Sequence, residues 1–84
     1  MKTKHVKLLR VIFASPTQAN ILYSDLEVLI AALGGEVREG AGSRVVLQLN
    51  DQRLHQHRPH PGKYAKRYQV EEIRALLQAA GYQP

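Results

Sequence analysis

The sequence predicts an α+β domain in which helices cover one face of a small antiparallel sheet. Three observations carry that reading. The apolar spacing changes from three and four residues to two just after Gly34-Gly35, and it changes back after Pro59. Turn-forming residues divide the period-two stretch into three short segments. The chain has 84 residues, enough for one domain that buries about 60% of its unfolded-chain surface. The element order is therefore helix, helix, three strands, helix, and packing helices on one sheet face is the economical way to bury it.

Residues 4–14 place Val6, Leu9, Ile12 and Phe13 at helical spacing, and Ser15-Pro16-Thr17 ends the segment because the residue before a proline disfavours helical geometry. In the second helix Ser24 is expected to cap the N-terminus, with Glu27 three residues later completing a capping box. Leu26, Leu29, Ile30 and Leu33 form its apolar stripe, and Gly34-Gly35 offers the left-handed exit that ends many helices.

Glu36 to Glu39 reads as a short strand, followed by a turn at Gly40-Ala41-Gly42-Ser43. In the next strand, Arg44 to Leu49, the side chains of Val45, Leu47 and Leu49 share one face. Asn50-Asp51 suits a tight hairpin turn, because both residue types tolerate positive φ. The third strand runs from Arg53 to about Arg58 and stops at Pro59, which has no N–H for a ladder. Alternation sets His55 and His57 on one face and Leu54, Gln56 and Arg58 on the other. A last helix, Tyr68 to Ala80, carries Val70, Ile73, Leu76 or Leu77 and Ala80 on its apolar side, without an obvious N-cap residue.

The net charge is +5, and its distribution is uneven. Lys2, Lys4, Lys7 and Arg10 form one basic block, and Arg53, Arg58, Lys63, Lys66 and Arg67 form another; neither contains a carboxylate. Such segregation suits a polyanionic partner, although a solvated basic face would look the same. There is no cysteine, which excludes disulfides and thiolate metal sites. The longest mostly apolar run, Leu26 to Leu33, is too short to span a bilayer and contains Glu27. No apolar stretch near the start is long enough for a signal peptide, so a cytoplasmic protein without membrane association is expected.

The chemistry concentrates between His55 and Arg67. Lys63, Lys66 and Arg67 stand just before or within the first turn of the last helix, where cations oppose the helix dipole. The same helix end, with its free N–H groups, suits a phosphate. His55, His57 and His60 make an H-x-H-x-x-H pattern, but no nearby acid or cysteine completes a metal shell and the neighbouring cations repel a divalent ion. No metal and no small-molecule cofactor is therefore expected. The imidazoles then belong to an ordinary exposed sheet face, to phosphate contact, or to acid/base work, for which their pKa near neutrality suits them. In Gly42-Ser43-Arg44, the glycine admits a close backbone approach, and Ser43 and Arg44 can donate to a phosphate; a plain hairpin turn fits equally. Tyr64 and Tyr68 flank the basic cluster and suit either base stacking or the rim of the core.

Taken in order, Gly42-Ser43-Arg44, Pro59-His60-Pro61-Gly62-Lys63, and Ile73-Arg74-Ala75-Leu76-Leu77-Gln78-Ala79-Ala80-Gly81 resemble the HicA toxins of bacterial toxin–antitoxin pairs. The resemblance covers residues 24–82 of a single 1–84 domain and leaves residues 1–15 as a helical extension found in a subgroup. It implies a fold like that of double-stranded-RNA-binding domains, an mRNA-cleaving ribonuclease activity that arrests translation, and a HicB-like antitoxin as partner. In the family this turn usually reads Gly-Ser-His, with that histidine taken as catalytic, whereas here the matching residue is Arg44. Arginine stays protonated and cannot act as a base near neutrality. Catalysis is then expected at His57 or His60, with Ser43, Arg44, Arg58, Lys63, Lys66 and Arg67 binding RNA phosphates. The alternatives are a non-catalytic RNA-binding module and an inactive antitoxin-binding homologue.

Overall fold

The computed structural model describes all 84 residues. Its elements are α1 (Thr3–Ile12), α2 (Tyr23–Ala32), β1 (Glu36–Glu39), β2 (Arg44–Leu49), β3 (Gln52–His57) and α3 (Arg67–Ala79). The sheet is an antiparallel meander in the order β1-β2-β3, which confirms the α+β class. No helix is long and apolar enough to cross a membrane.

The core follows from the two periodicities. Val45, Leu47 and Leu49 of β2 point inward and are essentially fully buried. Against them lie Tyr23, Leu26, Leu29 and Ile30 of α2, and Val70, Ile73, Leu76 and Leu77 of α3. Leu9 and Ile12 of α1 complete the same cluster. The other sheet face is covered by no element.

Two expectations about the helices need correction. Of the expected α1 stripe, Leu9 and Ile12 are buried but Val6 and Phe13 are only half-buried, and the third buried position is His5. Positions 5, 9 and 12 stack along one line, and a residue one place further on is turned by about 100°. Ser24 does not cap α2, because the helix already begins at Tyr23 with Leu22 as its N-cap. A tertiary contact replaces the side-chain cap. The Tyr23 N–H donates to the Lys63 carbonyl (3.0 Å), and Leu22 pairs antiparallel with Tyr64.

The turns form as expected, each for a local reason. Gly34 takes φ +88° at the end of α2, a conformation that costs other residues energy. Gly35 is required by proximity, since a Cβ there would collide with the Gln48 carbonyl and with Ile30. Of the hairpin pair, only Asn50 adopts positive φ (55°).

The segment outside the sheet-and-two-helix unit is tied down by Arg74 of α3. Its Nε donates to the Ile12 carbonyl (2.8 Å), and its Nη2 donates to the Ala14 carbonyl (3.3 Å) and to Thr17 Oγ1 (3.0 Å). The Thr17 hydroxyl in turn donates to Glu71 (3.0 Å). A cation thus satisfies carbonyls at the C-terminal end of α1, where the helix dipole is negative. Replacing Arg74 by alanine is expected to lower unfolding free energy by about 1–3 kcal/mol and to speed amide exchange across residues 3–12. Denaturant titration and hydrogen exchange read both effects, and unchanged exchange there would show that Arg74 does not hold α1.

Candidate functional site

Register places the sequence motifs on the open sheet face. Arg44 of β2 stands opposite His57 of β3, Val46 opposite His55, and Gln48 opposite Arg53. On the other side, Arg38 of β1 faces Val46 and Glu36 faces Gln48. Because Val45, Leu47 and Leu49 point inward, the outward set is Arg38, Arg44, Arg53, His55 and His57 around Val46 and Gln48. Glu36 is the single acid there, and it is paired with Arg38 (3.0 Å).

The Arg44–His57 position is closely spaced. The Arg58 N–H donates to the Ser43 carbonyl (2.8 Å), so the ladder is hydrogen-bonded at that step and the Arg44–His57 pair falls at a non-bonded step, where side chains lie nearest. The β1–β2 turn closes over this end through Gly40 N–H to the Arg44 carbonyl (2.9 Å) and Arg44 N–H to the Ala41 carbonyl (3.1 Å). Together they enclose a cleft of about 420 Å³, lined by Arg44, His55 and His57 with Gly40, Ala41 and Val46.

Beside this cleft, Ser43 Oγ and His57 Nδ1 are 3.3 Å apart. When Nδ1 carries the proton and donates to Ser43, Nε2 is left unprotonated and free to accept one. Arg44 supplies a fixed positive charge beside it. The sheet thus brings together Ser43, Arg44 and His57. It adds His55, which alternation sets on the face of His57 but which is not among the expected catalytic residues.

His60 stands apart in the loop, exposed and without a side-chain hydrogen bond. Lys63, Lys66 and Arg67 are exposed and make no ion pair. Lys66 is the residue before α3, and its N–H donates to Gln69 Oε1 (2.9 Å), the cap that the sequence did not reveal. Tyr64 and Tyr68 are about half exposed, and the Lys63 ammonium lies 5.7 Å from the Tyr64 ring centroid. The loop is held by Leu22–Tyr64 pairing and by Ala65 N–H to the Ile21 carbonyl (2.7 Å).

Arg58 points to the helix side of the sheet, away from His57. Its guanidinium donates to Glu27 of α2 (2.8 Å from Nε) and makes a two-pronged contact with Glu39 of β1. These hydrogen bonds raise the Arg58 pKa further and hold the Glu39 carboxyl below its ordinary value. With Lys63 and Tyr23, Arg58 lines a separate crevice of about 210 Å³.

Beneath the site lies a buried polar network with no counterpart in the sequence reading. The Tyr23 hydroxyl donates to Gln56 Oε1 (2.7 Å), and Gln56 Nε2 donates to the Gln69 carbonyl (3.2 Å) and to Glu72 (2.9 Å). Gln69 Nε2 donates to the His57 carbonyl (2.7 Å). Burial, reinforced by the charge of Glu27, raises the Tyr23 pKa far above the usual range, so the hydroxyl remains a donor. The one available signal was Gln56 itself: a glutamine at an inward strand position needs buried partners.

Two outcomes test this geometry. Tyr23→Phe leaves the Gln56 oxygen buried without a donor and is expected to cost about 1–3 kcal/mol in unfolding free energy. Glu39 should titrate below the ordinary carboxylate range and move back toward it in Arg58→Met, as followed by carboxyl NMR. A depressed folded-state pKa stabilises above the unfolded value, and the contribution is lost as pH falls through the folded one. Acid sensitivity from this pair should therefore vanish in the variant.

A family model described as HicA toxin of bacterial toxin-antitoxin matches residues 23–82, from the first residue of α2 to just past α3. No curated protein and no solved structure shows a significant match.

Proposed function

The chain belongs to the HicA family of bacterial toxin–antitoxin toxins, and from that premise we propose that it is an RNA-cleaving toxin whose reaction needs no metal. The observation that carries this reading is the cleft in which His57, steadied by Ser43, lies opposite the fixed cation Arg44. That set supplies a base and a charge stabiliser at the same phosphate. The substrate is mRNA, cleavage arrests translation, and a HicB-like antitoxin neutralises the toxin.

In this mechanism His57 Nε2 takes the proton from a ribose 2′-OH, and the 2′-oxygen attacks the adjacent phosphorus. Arg44 stabilises the added negative charge on the phosphoryl oxygens. The bond from phosphorus to the 5′-oxygen then breaks, and the leaving oxygen takes a proton from solvent water; His60, apart in the Pro59–Lys63 loop, is left to contact the flanking phosphates. The products are a 2′,3′-cyclic phosphate and a 5′-hydroxyl. Lys63, Lys66 and Arg67 hold the flanking backbone near the start of α3, and Tyr64 and Tyr68 offer exposed faces for bases. We assign Arg58 to positioning: its charge is committed to Glu27 and Glu39, and it holds the end of β3 to α2 and β1.

A second reading is favoured by one observation, Arg44 at the place where the family resemblance leads one to expect histidine. In that reading the same surface binds RNA and does not cut it. Purified protein incubated with RNA in excess chelator separates the two. The proposal predicts cleavage that falls at least about 100-fold in His57→Ala, in line with loss of a general base. Binding that weakens with salt but yields no fragments would establish the binder instead.

A further inference from the structure

The cleft at Arg44 and His57 is one end of a longer basic surface. Three rows of paired residues cross the outward face of β2 and β3: Arg44 with His57, Val46 with His55, and Gln48 with Arg53. Every second residue of a strand returns to the same face, so successive rows are roughly 7 Å apart. His55 and Arg53 are exposed, and His55 lines the cleft together with His57. Arg53 makes no ion pair, although Glu72 of α3 borders the same crevice at the β3 edge. The one acid of this face, Glu36, is taken up by Arg38. Asp51, in the turn beyond the Gln48–Arg53 row, ends the basic run.

The row spacing matches the advance per nucleotide of an extended nucleic-acid strand. A stacked duplex strand advances only about half as far, roughly 3.4 Å per nucleotide, and it curls away from a flat sheet. The chemistry asks for the same form of substrate. Attack by the 2′-oxygen needs that atom in line with the departing 5′-oxygen, and a nucleotide stacked in a helix does not reach this alignment. Val46, half-buried, supplies an apolar floor in the middle row. The exposed His55 ring beside it offers a face to an unstacked base.

We infer that the outward face of β2 and β3 is the track for single-stranded RNA on one side of the scissile phosphate, a reading that rests on RNA cleavage at His57. Arg53 grips the phosphate about two nucleotides from the cut, two rows along the strand from His57. His55 and Val46 receive the base between them. Lys63, Lys66 and Arg67 hold the strand on the other side, so the RNA is drawn across the cleft between two basic anchors. Paired RNA must open before it is cut.

The test measures binding of fluorescent single-stranded 2′-fluoro RNA, which lacks the attacking hydroxyl, by anisotropy over a range of salt. Arg53→Glu should bind at least about tenfold more weakly, and Arg53→Ala should lower the log–log salt slope by about 0.7, the share of one phosphate contact. Arg53→Lys should keep most of the affinity, and thermal unfolding of all three should match wild type. Lys7→Glu, the same charge change on the exposed side of α1, should bind like wild type. Annealing the strand to its complement should weaken binding at least about tenfold. Wild-type affinity in Arg53→Glu, equal weakening by Lys7→Glu, or a duplex that binds as well as the single strand overturns the track. So does an Arg53→Glu effect confined to binding of the protein encoded by the adjoining reading frame, which would give this face to the antitoxin. Unmodified RNA that is bound in the expected pattern but never cut sinks the ribonuclease reading alone. Unmodified RNA cut by Arg53→Glu with unchanged KM overturns the track and leaves that reading standing.

Discussion

The arrangement of this small domain depends on the buried hydrogen-bond network running from Tyr23 through Gln56 to Gln69. It joins α2, β3 and the first turn of α3 at one point. Gln69 holds the His57 carbonyl with its amide nitrogen and the Lys66 N–H with its oxygen, so one side chain fixes both the end of β3 and the start of α3. The loop with His60 and Lys63 hangs between those two anchors. An apolar residue at position 56 or 69 would fill the space but would not set the direction of either chain end. Buried polar groups are costly unless all are paired, and that is what makes the network specific.

Charge is sorted by the same architecture. On the helix side Arg58 is enclosed by Glu27 and Glu39, joining three elements whose ends would otherwise be free to separate. On the open face and in the loop, Arg44, Lys63, Lys66 and Arg67 lack carboxylate partners. The contrast gives the basic residues two roles. Paired cations brace the frame, and unpaired ones leave a positive field over the cleft where an imidazole is available. The sheet register completes the site by setting Arg44 against His57.

Much of the fold was legible in the sequence because its elements obey simple periodicities. Alternation in β2 and β3 separated Val45, Leu47 and Leu49 from Arg44, His55 and His57, and the structure keeps that division. What local pattern could not show was tertiary capping. Ser24 and Glu27 satisfied a helix-start motif, yet the Lys63 carbonyl takes the amide of Tyr23 and the helix starts two residues earlier than the motif requires. Glu27 instead meets Arg58. Within the candidate site, proximity in sequence linked His57 with His60, whereas pairing across strands joins His57 to Ser43 and Arg44 and adds His55. Alternation set Arg58 on the face opposite His57, but local pattern could not show that its charge is taken up there by Glu27 and Glu39.

The central claim is that the His57–Arg44 cleft activates a ribose hydroxyl against its own phosphate. It is tested most directly by the chemistry of the fragment ends. Cleaved RNA should carry 2′,3′-cyclic phosphates and 5′-hydroxyls, and a substrate with a single 2′-deoxy sugar at the cleavage position should remain intact there. Fragments with 5′-phosphates, or undiminished cutting at the 2′-deoxy position, would contradict the account.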